Sequence, residues 1–552
     1  MNQEAAKSRF KAQFGGRPRS IRWLLHVLVL WSFAVAQPLY AKIAENLPFL
    51  ISHKVDGLAL VIYALGILLV PPLLIWGAVG LTAAVSQRLA AIAQRVMIIV
   101  LISAALLPIL LGSGLPDGMG VALSLGLALI PALFYRTKLW SGLLDILTPA
   151  PAVFVAIFLF VSPASALLTT DELKPAEKSA DNLEIPVVIL LLDELSTQAL
   201  LDASGDLDSA RLPGFSRLAE VSTWYPRATT VVEATTMAAP VFLSGILPID
   251  GRRQPPIYQS FPENIFDHVS PQRRIRAVEN GSRLCRPGRC DFGIDSDSSV
   301  RSVHWQALVA DSSVIWAHIT LPQSLRSRWL PELGARWAGF ANVGNGASPG
   351  QKDSGPRDIR WGKRDSEFTS FMNAIEDVGP GTMYYQHLLL PHAPWIYLAD
   401  GRAYDTPKGD SINGMMPDAA NDTGVKHMWW NSEWATIVGE QRFLMQVGYV
   451  DSLVEQIMER LSASDYFDEM MLVVAADHGG SFTPGTSRRA LTQENFAEIL
   501  PIPLFIKYPG QLDGRIDKQP AELVDVSPTI RRTLGLSAAG LDGQPLQDQS
   551  ER

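Results

Sequence analysis

Five stretches in the first 168 residues are long, apolar and nearly free of charge: Trp23–Ala41, a segment within Gly57–Gln87, Val96–Pro116, Gly118–Tyr135 and a segment within Leu139–Leu168. Each can cross a hydrocarbon core about 30 Å thick. In lipid the backbone must satisfy its own hydrogen bonds, so the expected form is a bundle of five helices. Pro71 and Pro72 are expected to kink the second helix, with neighbouring helices satisfying the freed backbone groups. A cleaved signal peptide fits the first stretch poorly: no small-residue cleavage site precedes Pro38, and four more stretches follow.

Charge divides the chain at the same place. Residues 23–170 hold ten Asp, Glu, Lys and Arg in 148 positions, whereas residues 171–552 hold 85 in 382. That imbalance excludes a wholly soluble cytosolic enzyme, and the lack of repeats or biased tracts excludes a low-complexity chain. The net charge of −8, with no basic stripe interleaved with aromatics, argues against a nucleic-acid partner.

Lys7, Arg9, Lys11, Arg17, Arg19 and Arg22 precede the first stretch; Arg88 and Arg95 follow the second, and Arg136 and Lys138 follow the fourth. The alternate loops hold only Lys42 and Lys54 as basic residues. The positive-inside rule therefore puts the N-terminus (residues 1–22) in the cytoplasm, and five spans deliver everything after about residue 165 to the far side. A bacterial inner membrane with the polar half in the periplasm is the expected setting. There Cys285 and Cys290, the only cysteines, are expected to form a disulfide rather than remain thiols or half of a metal site.

The polar half opens with a linker, residues 169–185. Ile185–Leu192 is then a continuous apolar run ending in Asp193 and Glu194; Tyr384–Leu390 runs into Pro391, His392, Ala393 and Pro394; Met470–Ala476 runs into Asp477, His478, Gly479 and Gly480. These read as buried parallel strands. Between the last two, Phe443, Leu444, Val447, Val450, Leu453, Ile457 and Leu461 recur at helical spacing. Alternating strand and helix implies a mostly parallel central sheet covered by helices.

Ligands bind beyond the carboxyl ends of such strands. Asp193, Glu194, Asp477 and His478, with His387 and His392 from a third strand, would converge there and offer mixed oxygen and nitrogen ligands. That donor set suits Zn²⁺ first and Mn²⁺ second, rather than Ca²⁺. Taken singly, each carboxylate reads more readily as structural, Asp193 as the cap of a helix starting at Leu195, and His478 reads as a turn residue near Gly479 and Gly480. The hydroxyl-rich segment Thr229–Thr236 leads into an apolar run ending at Gly245. Thr235 or Thr236 at the start of a helix would sit where free N–H groups hold an anion, although Thr235 could merely be an N-cap.

Five motifs in order complete a pattern: Pro186-Val-Val-Ile-Leu-Leu-Leu-Asp193-Glu194, Thr235-Thr-Met-Ala-Ala-Pro-Val-Phe-Leu-Ser-Gly245, His387-Leu-Leu-Leu-Pro-His392-Ala-Pro394, Ala476-Asp477-His478-Gly479 and Val524-Asp525-Val-Ser-Pro528-Thr529. Together they resemble the alkaline phosphatase/sulfatase superfamily, in particular its membrane-anchored phosphotransferases such as lipoteichoic acid synthases and phosphoethanolamine transferases.

The resemblance covers residues 186–540, leaving 23–168 as the five-span domain and 541–552 as a tail. It implies an α/β alkaline-phosphatase-like catalytic domain. Asp193, Glu194, Asp477 and His478 would be metal ligands, with Thr235 as both ligand and nucleophile and Thr236 in reserve. His387 and His392 would act on the phosphate or at a second metal, Arg488 and Arg489 would hold an anionic headgroup, and Asp525–Thr529 would be a structural turn. The activity implied is transfer of a phospholipid-derived phosphoryl headgroup to an envelope glycan or lipid through a phosphothreonine. The alternatives are a sulfatase-like hydrolase of phosphodiesters or sulfuric esters, or a non-catalytic envelope-binding protein. Two departures stand out. Thr235 lacks the Cys/Ser-x-Pro-x-Arg setting of formylglycine sulfatases, and no histidine follows His478, where phosphoethanolamine enzymes carry one more.

Overall fold

The computed structural model describes residues 21–135, 137–168, 181–249, 254–286, 288–291, 303, 305–330, 340–341, 362–403, 415–416 and 427–549. The basic residues before Arg22, Arg136, most of the linker and the last three residues lie outside that set. The chain forms two compact units: residues 1–169 with 303–333 and 338–341, and residues 170–302 with 334–337 and 342–552.

Among the described residues the first unit contains five helices long and apolar enough to span a membrane: Ile21–Ala44, Gly57–Val85, Gln87–Gly112, Asp117–Phe134 and Lys138–Phe160. We call them spans 1 to 5. Span 2 runs through Pro71 and Pro72 as one helix. Proline has no N–H for the carbonyl four residues back, so Pro71 frees the Ile67 oxygen; the Trp31 indole of span 1 donates to it at 2.8 Å. Asp145 lies near the start of span 5. Arg22 Nη2 at 2.6 Å and His26 Nε2 at 2.9 Å hold its carboxylate, and His26 Nδ1 meets the Tyr135 hydroxyl at 2.6 Å, so one polar knot ties spans 1 and 5 to the end of span 4.

The described residues of the second unit include ten strands: β1 Val187–Asp193, β2 Thr223–Trp224, β3 Ala228–Thr229, β4 Arg274–Val278, β5 Cys290–Asp291, β6 Thr382–Pro391, β7 Met471–Ala476, β8 Leu504–Lys507, β9 Arg515–Ile516 and β10 Ala521–Glu522. Eight form one sheet in the order β5-β4-β6-β1-β7-β8-β2-β9, and β3 pairs with β10. From β5 to β7 all neighbours are parallel; β8 runs antiparallel to both β7 and β2. Every residue of β1 is buried, as its unbroken apolar sequence requires of a central strand covered on both faces. The helix Glu433–Ser462 connects β6 to β7 and buries Phe443, Val447, Val450, Leu453, Ile457 and Leu461; Leu444, on the same periodic list, is only half-buried.

Cys285 and Cys290 are bonded to each other, with their Cα atoms 6.1 Å apart. The late turn has a structural duty. Asp525 accepts from the backbone of Gln544 and Glu522, and Ser527 donates to the Leu243 carbonyl at 3.0 Å, fixing the end of the helix Thr235–Ser244. Gly245 ends that helix with φ +73°, where a Cβ would also lie 2.9 Å from Pro528.

Candidate metal and nucleophile site

β6, β1 and β7 are adjacent and parallel, so their carboxyl ends lie side by side. Leu192 pairs with Ala476, which puts Asp193 and Asp477 at the same level of the sheet. Ligand atoms of Asp193, Asp477 and His478 all lie within 4.8 Å of one another, and all three residues are buried.

Asp477 divides its two oxygens. Oδ1 accepts from the backbone N–H groups of Glu194 at 2.9 Å and His478 at 2.7 Å, while Oδ2 is buried with no hydrogen-bond partner among the described residues. An orphaned buried carboxylate oxygen is costly unless a cation or proton meets it. Burial drives this carboxyl's pKa upward, the direction a bound cation would reverse.

His478 supplies the matching nitrogen. Its Nδ1 lies 2.8 Å from the Gly479 carbonyl, an acceptor only, so Nδ1 carries the proton and Nε2 presents a lone pair. That Nε2 lies 3.3 Å from Thr235 Oγ1, which is also 3.3 Å from Asp193 Oδ1. Thr235 is the first residue of its helix; the N-cap is Ala234, and no side chain caps the end. The threonine hydroxyl therefore serves the cluster and not the helix. Thr235 is buried, while Thr236, one residue on, is half-buried. The donor set Asp193, Thr235, Asp477 and His478 fits one divalent cation.

Glu194, expected among the ligands, has one oxygen taken, since Arg488 Nη1 holds its Oε1, while Oε2 is buried with no hydrogen-bond partner among the described residues and lies 3.6 Å from His392 Nε2. Its backbone has φ +66°, uncommon for a non-glycine residue. A Cβ at Gly480 would lie 2.8 Å from its Oε1, so the second glycine of the Asp-His-Gly-Gly sequence makes room for this pair. Arg488, expected at a headgroup, is fully buried behind Glu194. Its neighbour Arg489 reaches the cleft, with Nη2 at 2.9 Å from His478 Nε2 and Nη1 at 3.2 Å from His392 Nε2.

His392 and His387 follow the rule seen at His478. His392 Nδ1 lies 2.5 Å from the Ala393 carbonyl and His387 Nδ1 lies 3.0 Å from that of Asn280, so both present Nε2 as acceptor. His387 is wholly buried, its Nε2 has no hydrogen-bond partner among the described residues, and burial lowers its pKa. A bulge in the β1–β6 pairing, where Leu192 faces Leu388 but Asp193 faces Pro391, sets how far His392 projects past the strand end.

Sequence reasoning missed the supports. Gln446, wholly buried on the long helix, donates to the carbonyls of Pro391 and His392 and accepts from the N–H groups of Ile396 and Tyr397. Asn280 donates to the His387 carbonyl at 2.7 Å, and Glu279 beside it accepts from the backbone of Leu284 and Cys285. The available signal was a polar Gln446 next to Val447 and one helical turn from Phe443 and Val450 on an apolar face.

Burial, and then Arg489, lower the His478 pKa to about 4. Its unfolded value is near 6.5. Between those values the folded protein binds fewer protons than the unfolded chain, so His478 contributes stability that is complete above pH 6.5 and is lost as pH falls toward 4. The shift corresponds to about 3 kcal/mol. In chelator-treated protein, thermal unfolding is expected to drop more between pH 7 and 4.5 for the wild type than for His478→Gln. Parallel pH profiles would refute this assignment.

A parallel sheet with an acid–histidine cluster and a helix-borne hydroxyl at its strand ends is an arrangement suited to metal-assisted attack on an ester. The sulfatase family model matches residues 341–536, which include His387, His392, Asp477 and His478 but not Asp193 or Thr235. Residues 341–536 thus carry a sulfatase-type domain. No curated protein matches the sequence. Among solved structures it is similar to the phosphonate monoester hydrolase of Agrobacterium radiobacter (15% identity, TM-score 0.41, 66% of this chain and 76% of that one). It is also similar to the phosphonate monoester hydrolase of Silicibacter pomeroyi (16%, 0.40, 66% and 76%) and to a 2-O GAG sulfatase (12%, 0.40, 66% and 74%).

Proposed function

We propose that this membrane enzyme transfers a phosphoryl headgroup from a phospholipid to an envelope glycan or lipid through a phosphothreonine at Thr235. The observation that carries the reading is the Thr235 hydroxyl, buried at a helix start and 3.3 Å from both Asp193 and His478. The setting we propose is a bacterial inner membrane with the enzyme domain in the periplasm, where the five spans keep it beside its lipid donor. Proximity then raises the effective concentration of that donor.

A divalent ion held by Asp193, Thr235, Asp477 and His478, zinc by preference and manganese next, would supply Lewis-acid charge to the phosphoryl oxygens and lower the pKa of the threonine hydroxyl. The chain's own groups do the rest. Arg489 donates to the Nε2 lone pair an ion would take, so ion binding would turn its guanidinium toward the anionic phosphodiester. The Thr235 oxygen bonds to phosphorus, and the bond from phosphorus to the glycerol oxygen of diacylglycerol breaks. His392 Nε2 takes the threonine proton and delivers it to that leaving oxygen, with the deeper His387 as second choice. In the second half, His392 takes the proton of the acceptor hydroxyl as that oxygen attacks phosphorus. The bond to Thr235 then breaks, and the threonine recovers its proton.

The hydrolase alternative differs only in using water for the second half, and the sulfatase family match favours it as the second reading. Both readings make activity metal-dependent. Exhaustive chelation is expected to abolish turnover of a chromogenic phosphodiester, and Zn²⁺ or Mn²⁺ alone to restore it; full activity after metal removal would exclude the scheme.

Intact-mass analysis of the full-length protein in nanodiscs tests the covalent route. Under acid quench a mass gain of one phosphoryl headgroup is expected on Thr235, absent in Thr235→Ala and discharged by acceptor. Sustained turnover without any such adduct would remove the covalent intermediate.

A further inference from the structure

The stretch Trp305–Trp329 lies between β5 and β6 in sequence, yet it folds with the spans as part of the first unit. It forms two helices, Trp305–Thr320 and Gln323–Trp329. From Trp305 to Leu325 its only Asp, Glu, Lys or Arg is Asp311, and the segment then ends in Arg326, Arg328 and Trp329.

Three polar residues of the first helix, Asp311, Ser312 and Thr320, are buried. Asp311 is 1% exposed and meets His53 Nε2 at 3.1 Å, while Ser312 is 1% exposed and meets the Tyr63 hydroxyl at 2.7 Å. Tyr63 lies six residues into span 2, about 9 Å along the helix axis from its first residue. Trp316 Nε1 donates at 3.0 Å to the Ala34 carbonyl, inside the short π-helical turn of span 1. At the start of the second helix, Ser324 donates to Asp117, the first residue of span 4. The exposed residues of that helix are Trp305, Gln306, Val309 and Ser313.

A helix lying on a protein surface in water keeps its charge outside and its large apolar groups inside. Here the one acidic group of the first helix, Asp311, is locked inward against His53 in the segment between spans 1 and 2, while a tryptophan and a valine are among the exposed residues. The spans expose the same kind of surface, for example Leu58 and Ile62. Tryptophan and arginine at the far end are the residues that settle at headgroup level.

We propose that Trp305–Trp329 is a membrane-embedded helical pair whose outward face contacts phospholipid in the leaflet entered by spans 2 and 4. The surface is thus a lipid-binding one, contributed from within the enzyme half of the sequence.

The test is spin-label accessibility in full-length protein reconstituted into phospholipid vesicles, with nitroxides at Val309→Cys and, separately, Ser313→Cys. Ser209→Cys, exposed in the second unit, is the aqueous reference. The native cysteines are disulfide-bonded and do not label. At both positions, collision with oxygen is expected to exceed collision with nickel-EDDA severalfold, the reverse of Ser209→Cys. Nickel-EDDA access equal to the reference would place the face in water and overturn the proposal. Low access to both reagents would mean protein, such as a second copy of the chain, covers it, and would overturn the proposal equally.

Discussion

Replacing Thr235 with alanine is expected to lower turnover of a phosphodiester by at least about 10³-fold while the protein still binds its metal. The substitution removes one hydroxyl and one methyl from a buried position, and the three candidate ligands Asp193, Asp477 and His478 keep their convergent atoms. The helix start is not weakened, because Thr235 does not cap it. Thr235→Ser should recover part of the rate, since it restores the oxygen. Thr236→Ala should leave the rate within about threefold, because its hydroxyl is not the one between Asp193 and His478. Steady-state kinetics beside metal analysis by mass spectrometry reads all three variants. A Thr235→Ala enzyme within tenfold of wild type would end the nucleophile assignment, and metal loss in that variant would recast Thr235 as chiefly a ligand.

The largest stability effect is expected at Arg488. Its guanidinium and the Glu194 carboxylate are both almost completely buried. Removing one partner strands the other charge in a medium that solvates it poorly, at a cost of about 3–5 kcal/mol. Arg488→Met should therefore melt well below wild type, whereas Glu194→Gln combined with Arg488→Met should recover most of the loss. Thermal unfolding of the detergent-solubilised protein by near-ultraviolet circular dichroism gives the ranking. Equal melting of the single and double variants would show that the pair is not the coupled unit its geometry describes. The same variants separate two roles: if Glu194 is the support of Arg488 and not a ligand, the double variant keeps its metal.

The two adjacent arginines show what residue type alone leaves open. Arg488 and Arg489 are indistinguishable in the sequence as anion binders, but successive residues on an extended loop point in different directions. One is buried against Glu194 and the other faces the histidines. Glu194 was ambiguous for the same reason: next to Asp193 it reads as a second ligand, and only its left-handed backbone and the space left by Gly480 turn it toward Arg488. Gln446 could not be read because its partners are backbone atoms of residues some fifty positions away, and no local pattern encodes them.

Apolar length, charge-free runs and strand-ending acid and histidine words belong to the sequence itself. They were enough for five spans, a central parallel sheet, and the set from which the cluster is drawn, because desolvation and backbone hydrogen bonding act on residue type within a short window. Which oxygen of Asp477 is free, which nitrogen of His478 is bare, which of two threonines meets them, and that residues 305–329 fold with the spans were decided only in three dimensions. Those outcomes depend on the direction of single side chains and on partners far along the chain, and direction is fixed by packing, not by composition.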